Sequence, residues 1–324
     1  LILTDIKAPV FHRLMQEKGN EITEHVYTQL KDELEDIQPG LSERFREYLI
    51  RTNDTIENRI INAAHYLATQ WEFKMIYNLS QSIHGIESTK ERINNQLEDH
   101  YDLIGVQKLS LGQKFNGFID LCGQMRFQQR WAQTPRVPKT SVLGHTLFVA
   151  ILSYFTSLEA KLHDRRTTTN FYAALFHDLP EALTRDIVSP VKKSVSGLEE
   201  LIEDIEKHYV REQLLPLLPD AMHAEIEFFV EEPFQSRLMK DGEVQHLSAE
   251  ELAAQCEDEN CLPVDGPLVK ACDELAAFIE AAQSLAHGLQ SEQLRTGKSR
   301  LYDKYKDKKI LGISFVKYFD YFNS

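Results

Sequence analysis

The chain has 324 residues, enough to bury a sizeable core in one large or two modest domains. It carries 36 Lys and Arg against 50 Asp and Glu, which gives a net charge of −14 at pH 7. So acidic a chain does not hold duplex nucleic acid by general charge attraction, and a phosphorylated ligand would need a local cationic site or a metal. The charge therefore favours small phosphorylated ligands as partners.

Apolar residues recur at three- and four-residue steps along most of the chain, which is the period of amphipathic helices. In chain order this period predicts helices over 43–78 (one long helix or a pair), 117–130, 141–162, 169–177, 198–215, 221–231 and 268–286, with a further candidate at 312–322. Few segments show the alternation of apolar and polar residues that would predict a β-strand. The predicted fold is therefore all-α.

Glycine and proline mark the joints between the predicted helices. The segment 105–112 has glycine at both ends and is the predicted boundary between an N-terminal helical region, residues 1–110, and a second region, 111–324. We assign no function to the first region. Within the second, the acidic stretch at about 240–266 contains Asp241-Gly242 and Pro263, so we expect a surface excursion there.

Cysteine usage and hydropathy indicate the compartment. The four cysteines lack the paired spacing of a zinc ribbon and are too few to cross-link a chain of this length, so a reducing compartment is the simpler interpretation. No apolar run approaches the ~20 residues of a membrane span, and no secretory leader pattern opens the chain. We expect a cytoplasmic protein with no membrane partner. Because Leu1 rather than Met stands first, we also expect a longer gene product.

Two adjacent ligand types, His177 and Asp178, end an apolar run. An imidazole beside a carboxylate suits a hard or borderline divalent cation. The same residues also fit an ordinary helix start, with Asp178 as the N-cap and Glu181 closing a capping box. His145 upstream and Asp273 downstream complete a His, His-Asp, Asp set, and this set favours the metal interpretation.

His145 and Asp273 each have a simpler interpretation when taken alone. A histidine early in an apolar helix is commonly a core residue bonded to a carbonyl, and Asp273 could be a solvated carboxylate. The neighbours of Asp273 are mostly apolar, however, which favours a buried acid. A buried carboxylate needs a partner, and a cation is the strongest one available.

These residues, in this order, resemble the HD-domain metal-dependent phosphohydrolases, whose four ligands arrive on separate helices. The resemblance is closer to the bacterial 5′-deoxynucleotidase branch and covers about residues 123–285, within the region 111–324 that it identifies as the phosphohydrolase core. The matching motifs are Arg130-Trp131, His145, His177-Asp178-Leu179-Pro180-Glu181, Leu183-Thr184-Arg185-Asp186-Ile187 and Ser189-Pro190-Val191-Lys192.

The resemblance implies a metal site and two catalytic carboxylates. The implied ligands of one divalent cation, drawn from Mn, Co, Mg, Fe, Ni and Zn, are His145, His177, Asp178 and Asp273. Glu181 is implied as the base that orients the attacking water. Asp186 is implied as the acceptor of a sugar hydroxyl or as a second catalytic carboxylate.

The substrate contacts implied by the resemblance are Arg130, Trp131 and Lys192. The planar guanidinium of Arg130 would clamp phosphate oxygens, Trp131 would pack beside the sugar, and Lys192 would add positive charge. Arg130-Trp131 also fits an interfacial pair at a helix end, and Lys192 fits a solvated residue. The branch carries an acidic residue before its first histidine, whereas this chain has Gly144, which puts any contact from that position in doubt.

The implied activity is removal of the 5′-phosphate from a small nucleotide-like substrate, a deoxyribonucleoside 5′-monophosphate above all. Three alternatives stay open: a dNTP triphosphohydrolase, a cyclic-nucleotide phosphodiesterase, and a nucleotide-binding regulatory or scaffold protein. The apolar surface of segment 117–130 and of the N-terminal helices also leads us to expect a homodimer.

Overall fold

The structure is a computed structural model that describes residues 8–50, 55–131, 134–185, 195–255 and 260–323. The chain forms two compact units, Leu1–Gln113 and Lys114–Ser324. About 70% of the chain is helical and the strands are few and short, which confirms the predicted all-α fold.

The first unit is built from helices. They are α1 (Ala8–Ile37), α2 (Leu41–Ile50), α3 (Ile56–Leu79), α4 (Ile86–Glu98) and α5 (Ile104–Ser110). The predicted segment 43–78 is thus a pair of helices, and the second begins at an N-cap, Thr55, whose side chain accepts a hydrogen bond from the backbone N–H of Asn58. The period of apolar residues did not predict α1 or α4, which are rich in charged residues, or α5, which has only seven residues.

The second unit contains the longer and more apolar helices. They are α6 (Lys114–Gln124), α7 (Val142–Glu159), α8 (Asp164–Phe176), α9 (Glu181–Thr184), α10 (Leu198–Tyr209), α11 (His223–Val230), α12 (Ala249–Gln255), α13 (Gly266–Ala286), α14 (Glu292–Tyr305) and α15 (Val316–Tyr321). Helices α7, α8 and α13 pack against one another, and their fully buried residues form the main core. Ala150, Ala173 and Leu275, one from each helix, are 0% exposed.

Helix α7 is the one helix of the described residues that is long and apolar enough to span a membrane by length and composition. Half of it is buried within the unit, where it packs on α8 and α13. This is also the pattern of a core helix in a globular domain.

Several predicted helix ends differ from the structure. The segment 117–130 leaves the helix after Gln124, because Gln129 forms an isolated antiparallel bridge with Ser141. Helix α8 begins five residues before the predicted start, since His163 caps its N-terminus with a side-chain hydrogen bond from the backbone N–H of Arg165. The candidate helix at 312–322 is divided between a strand and α15.

Short strands join the helices of the second unit. β1 (Arg237–Lys240) lies between β2 (Glu243–His246) and β3 (Cys261–Val264) in an antiparallel sheet, and β4 (Lys309–Ile310) pairs with β5 (Ile313–Ser314). Asp241 and Gly242 form the two-residue turn between β1 and β2, both with positive φ. Cys261–Val264, which we expected within a surface excursion, is buried along its whole length, because β3 pairs with β1 and packs on α8.

Gly266 fixes the start of α13, the helix that carries Asp273. A Cβ at this position would lie 2.2 Å from the carbonyl carbon of Phe234 and 2.3 Å from the nitrogen of Gln235. Real side chains do not tolerate such contacts, so glycine is required for α13 to approach this backbone. The close approach also holds the first turns of α13 near the ring of Phe234.

Candidate active site

Helices α7, α8 and α13 bring the four predicted metal ligands together. His145 lies in the first turn of α7, whose N-cap Ser141 accepts a hydrogen bond from the backbone N–H of Gly144. His177 and Asp178 directly follow α8, and Asp273 lies in the third turn of α13. His145 is completely buried, and His177 and Asp273 are nearly so.

The donor atoms of these four residues face one another. His145 Nε2 lies 3.1 Å from Asp273 Oδ1 and 4.0 Å from Asp178 Oδ2. His177 Nε2 lies 3.1 Å from Asp178 Oδ1 and 3.9 Å from Asp273 Oδ1. Two ligands that bind one cation at about 2.1 Å each are separated by about 3 to 4 Å. The spacing of the donors of His145, His177 and Asp273 therefore fits a single cation, and Asp178 lies beside them in contact with His177.

The chemistry of the donor set fits a divalent metal as well. Ligand atoms of His145, His177 and Asp273 all lie within 4.8 Å of one another. Two imidazoles and carboxylate oxygens, without a thiolate, suit Mn, Fe, Co, Ni or Zn. His177 Nε2 is buried and has no hydrogen-bond partner within the described part of the chain, as expected of a nitrogen that keeps its lone pair for a metal.

The orientation of His177 is set by its own helix. Its Nδ1 lies 2.7 Å from the carbonyl oxygen of Ala174, and because a carbonyl only accepts, Nδ1 must carry the proton. The lone pair is then on Nε2, the nitrogen that faces the two aspartates. A hydrogen bond at the second ring nitrogen is the usual way in which proteins fix a metal-binding histidine.

Two cationic side chains flank the aspartates. Arg130 Nη1 donates to Asp178 Oδ2 at 2.8 Å, and its Nη2 lies 3.8 Å from Asp273 Oδ1. On the other side, Lys270 Nζ donates to Asp273 Oδ2 at 2.9 Å and lies 4.1 Å from the centre of the Phe234 ring. Arg130 was predicted at the site and Lys270 was not, although Lys270 precedes Asp273 by three residues and so shares its helix face.

These contacts keep both aspartates ionised. Burial alone would raise the pKa of Asp178, but His177 and then Arg130 lower it well below its usual range. Burial opposes ionisation of Asp273 too, yet Lys270 and then His145 hold its pKa well below the ordinary value. Burial would lower the pKa of His177, and the charges of Asp178 and Asp273 instead raise it above 6.5.

Stabilisation by a metal should therefore depend on pH. Because the folded protein raises the pKa of His177, the protonated imidazole stabilises the metal-free protein. This stabilisation is complete below pH 6.5 and is lost as the pH rises through the raised pKa. A metal requires the neutral imidazole, so protons compete with it. We expect the increase in Tm caused by Mn²⁺ to be larger at about pH 8 than at about pH 6. An increase that is equal at both pH values would contradict this prediction.

Glu181 begins α9, three residues after Asp178, and its side chain is buried. The structure contradicts the alternative in which Asp178 is the N-cap of this helix, because Pro180 stands at the N-cap without a side-chain hydrogen bond. The carboxylate of Asp178 contacts Arg130 and His177 instead. Burial would lower the pKa of Arg130, but the surrounding carboxylates, Asp178 first and Glu181 among them, raise it.

Arg130 and Trp131 also line a cleft of about 250 Å³. Its other lining residues are Gln129, Thr134, Pro135, Arg136 and Lys139. Trp131 has a positive φ of 57°, and the guanidinium carbon of Arg136 lies 5.8 Å from the centre of its ring. The three basic side chains and the indole make this cleft suited to an anionic ligand with an apolar part. Asp186 and Lys192 lie outside the described residues, so their predicted roles stay predictions.

The profile of the HD domain family matches residues 122–302, more than half of the chain. This chain belongs to the HD domain family. It is an HD-domain phosphohydrolase near the 5′-deoxynucleotidase branch, as the motifs predicted.

The chain is also similar to named relatives and to one solved structure. The phosphohydrolase is 25% identical over 216 residues to the 5′-deoxynucleotidase YfbR of Salmonella typhi, covering 64% of this chain and 89% of that protein. It is 22% identical over 191 residues to a 5′-deoxynucleotidase of Pasteurella multocida, covering 58% of this chain and 83% of that protein. The structure of an HD-domain phosphohydrolase from Listeria innocua matches with a TM-score of 0.46 and 15% identity, covering 64% of this chain and 85% of that one.

A further acidic side chain of this phosphohydrolase, Glu280, lies behind the donor cluster and was not predicted. It stands seven residues after Asp273, two turns along the same face of α13, which is the one signal in the sequence that could have identified it. Burial would raise the pKa of Glu280, but His145 beside it, then the hydrogen bond from Arg136 and the charge of Arg130, lower it to about 2.

Proposed function

We propose that this HD-domain phosphohydrolase removes the 5′-phosphate from deoxyribonucleoside 5′-monophosphates. The observation that carries the proposal is the convergence of His145, His177, Asp178 and Asp273 beside Arg130, which also lines the basic cleft. The donors suit a divalent metal and the cleft suits a phosphorylated ligand, so the two halves of a phosphatase site are adjacent. The relatives named 5′-deoxynucleotidases support the choice of substrate.

The four donors would hold the metal, and Arg130 would bind the phosphate. A divalent cation bound there would neutralise the phosphoryl oxygens and lower the pKa of the attacking water. Arg130 Nη1 donates a hydrogen bond to Asp178, and the other N–H groups of the planar guanidinium could donate to phosphate oxygens. Burial of the histidines and of Asp273 limits competing water, which strengthens each of these charge interactions.

Glu181 would take the proton of the attacking water. Its carboxylate is buried at the start of α9 and is close enough to Arg130 to raise the pKa of that side chain. A carboxylate that accepts a proton as the new P–O bond forms acts as a general base. The P–O bond to the nucleoside would break on the face opposite the water, as in-line displacement requires, and the leaving 5′-oxygen would take up a proton from solvent.

A product screen tests the proposed activity. Purified protein would be incubated with Mn²⁺ or Co²⁺ and with deoxyribonucleoside monophosphates, triphosphates and cyclic nucleotides, and the products would be separated. We expect inorganic phosphate from the monophosphates. Release of triphosphate would instead favour a dNTP triphosphohydrolase, and release of a linear nucleotide from a cyclic one would favour a phosphodiesterase. Tight nucleotide binding without turnover would favour a regulatory or scaffold protein.

The sugar preference should depend on Trp131. We expect deoxyribonucleoside monophosphates to be hydrolysed faster than ribonucleoside monophosphates, because the flat indole would leave little room for a 2′-hydroxyl. Exclusion by shape is partial, of the order of 10²-fold. Trp131→Ala should narrow the ratio of kcat/KM for the two sugars, and Arg130→Ala should weaken both substrates alike.

The control for Arg130→Ala is Arg211→Ala, which removes an exposed arginine paired with Glu227 and Glu231 on the same unit. It should leave both values of kcat/KM unchanged. Equal kcat/KM for matched ribo and deoxy substrates in the wild type would refute the proposed sugar preference, and the metal site would be unaffected by that result.

A further inference from the structure

Behind the donor cluster, Glu280 lies against the second ring nitrogen of His145. His145 Nε2 faces Asp273 and Asp178, while its Nδ1 lies 3.4 Å from Glu280 Oε1. Both atoms are buried, neither makes a hydrogen bond within the described residues, and each is thus a polar atom without a partner facing the other. A carbonyl or carboxylate opposite Nδ1 is what a histidine needs if its Nε2 is to carry the lone pair.

Arg136 holds Glu280 in this position. Its Nη1 donates to Glu280 Oε2 at 2.5 Å, and its Nη2 donates to Thr140 Oγ1 at 2.5 Å. Both members of the ion pair are almost completely buried, so the pair is screened little by solvent. Arg136 also lines the cleft beside Trp131, so one guanidinium connects the cleft wall to the residue behind His145.

The two histidines of the cluster thus obtain their orientation differently. His177 uses the backbone carbonyl of Ala174, which no side-chain substitution removes. His145 has no such carbonyl at Nδ1 within the described residues and faces the carboxylate of Glu280. The orientation of His145 therefore depends on a side chain that can be replaced.

We propose that Glu280 is a positioning residue for the metal site: it accepts the Nδ1–H of His145 and thereby keeps Nε2 free and directed at the other ligands. Arg136 fixes the carboxylate in that role. The inference rests on the proposed function in so far as the four donors bind a cation. It adds that α13 supplies two groups to one histidine, Asp273 on the Nε2 side and Glu280 on the Nδ1 side.

Two double variants isolate the hydrogen-bond acceptor from the buried charge. Both carry Arg136→Met; the first adds Glu280→Gln and the second adds Glu280→Met. Each removes the ion pair and keeps the approximate length of the side chains, but only the first retains an oxygen that can accept from His145 Nδ1. The affinity of the chelator-treated proteins for Mn²⁺ would be measured by titration calorimetry, and the visible spectrum of bound Co²⁺ would report the ligand set.

We expect the double variant with Glu280→Gln to bind Mn²⁺ within a few-fold of the wild type. The double variant with Glu280→Met should lose about 10- to 100-fold in affinity, the usual effect of removing a group that orients a metal ligand. Equal affinity of the two variants would overturn the proposal. If either double variant does not fold, as judged by circular dichroism without metal, Glu280→Gln and Glu280→Met as single substitutions make the same comparison.

A control and an assay separate this inference from the proposed function. Glu159→Gln changes a carboxylate on α7, the helix of His145, where it pairs with Lys317 and Tyr318, and it should leave Mn²⁺ affinity unchanged. If the wild type binds Mn²⁺ but hydrolyses none of the nucleotides, the proposed function fails, while a difference in affinity between the two double variants still supports the role of Glu280. If nucleotides are hydrolysed and the two variants bind Mn²⁺ equally, this inference alone fails.

Discussion

Replacing His177 by alanine is expected to remove both the bound cation and the hydrolytic activity. His177 Nε2 faces Asp178 and Asp273, and no other imidazole among the described residues could take its place beside them. A bound cation supplies several kcal/mol of charge stabilisation in the transition state, so we expect a loss of about 10³-fold or more in kcat. Metal content by elemental analysis and the rate of phosphate release would be measured on the same sample.

Asp178→Asn, at the proposed ligand next to His177, should also remove the bound cation and the hydrolytic activity. The amide keeps the shape of the side chain but loses the charge that binds the metal and pairs with Arg130. A suitable control is His287→Ala. The Nδ1 of His287 also bonds a carbonyl of its own helix, that of Gln283 at 2.7 Å, but this residue is exposed at the far end of α13. Full metal occupancy and normal turnover in a His177→Ala, Asp178→Asn double variant would exclude the proposed metal site.

The sequence predicted which residues meet because their types and order are those of a known ligand set. His145, His177 and Asp273 come from three helical segments separated by long stretches of chain, and each alone fits a core or surface residue. The all-α fold followed from the apolar period along most of the chain, and α7 and α13 are in addition apolar overall because half of α7 and most of α13 are buried. The convergence of the donors is a consequence of packing these helices on α8.

Lys270 and Glu280 were missed because the sequence shows their types but not their partners. Both are charged residues in an apolar helix, three residues before and seven residues after Asp273, and that spacing places all three on one face of α13. Which charge faces them depends on tertiary contacts, with His145 and Arg136 brought in by other elements. The buried strand Cys261–Val264 was missed for a similar reason, since four residues are too few to show a period.

The role in the chemistry that we propose for Glu181 can be separated from metal binding by experiment. Its carboxylate is buried and lies close enough to Arg130 to raise the pKa of that side chain. In this proposal Glu181 accepts the proton of the attacking water and does not bind the cation. Pro180, not Asp178, is the N-cap of α9, so Asp178 and Glu181 do not form a capping box.

We therefore expect Glu181→Gln to lower kcat by roughly 10²- to 10⁴-fold, the usual range for loss of a general base, with metal content near that of the wild type. The amide is isosteric with the carboxylate but cannot take the proton of water, so KM should change much less than kcat.

The matched control is Glu227→Gln, which changes a carboxylate on α11 that pairs with exposed Arg211, and it should keep the normal rate. A Glu181→Gln variant that loses thermal stability but keeps its rate would show that Glu181 supports the fold and not the reaction. A variant that loses its metal would instead place Glu181 among the ligands.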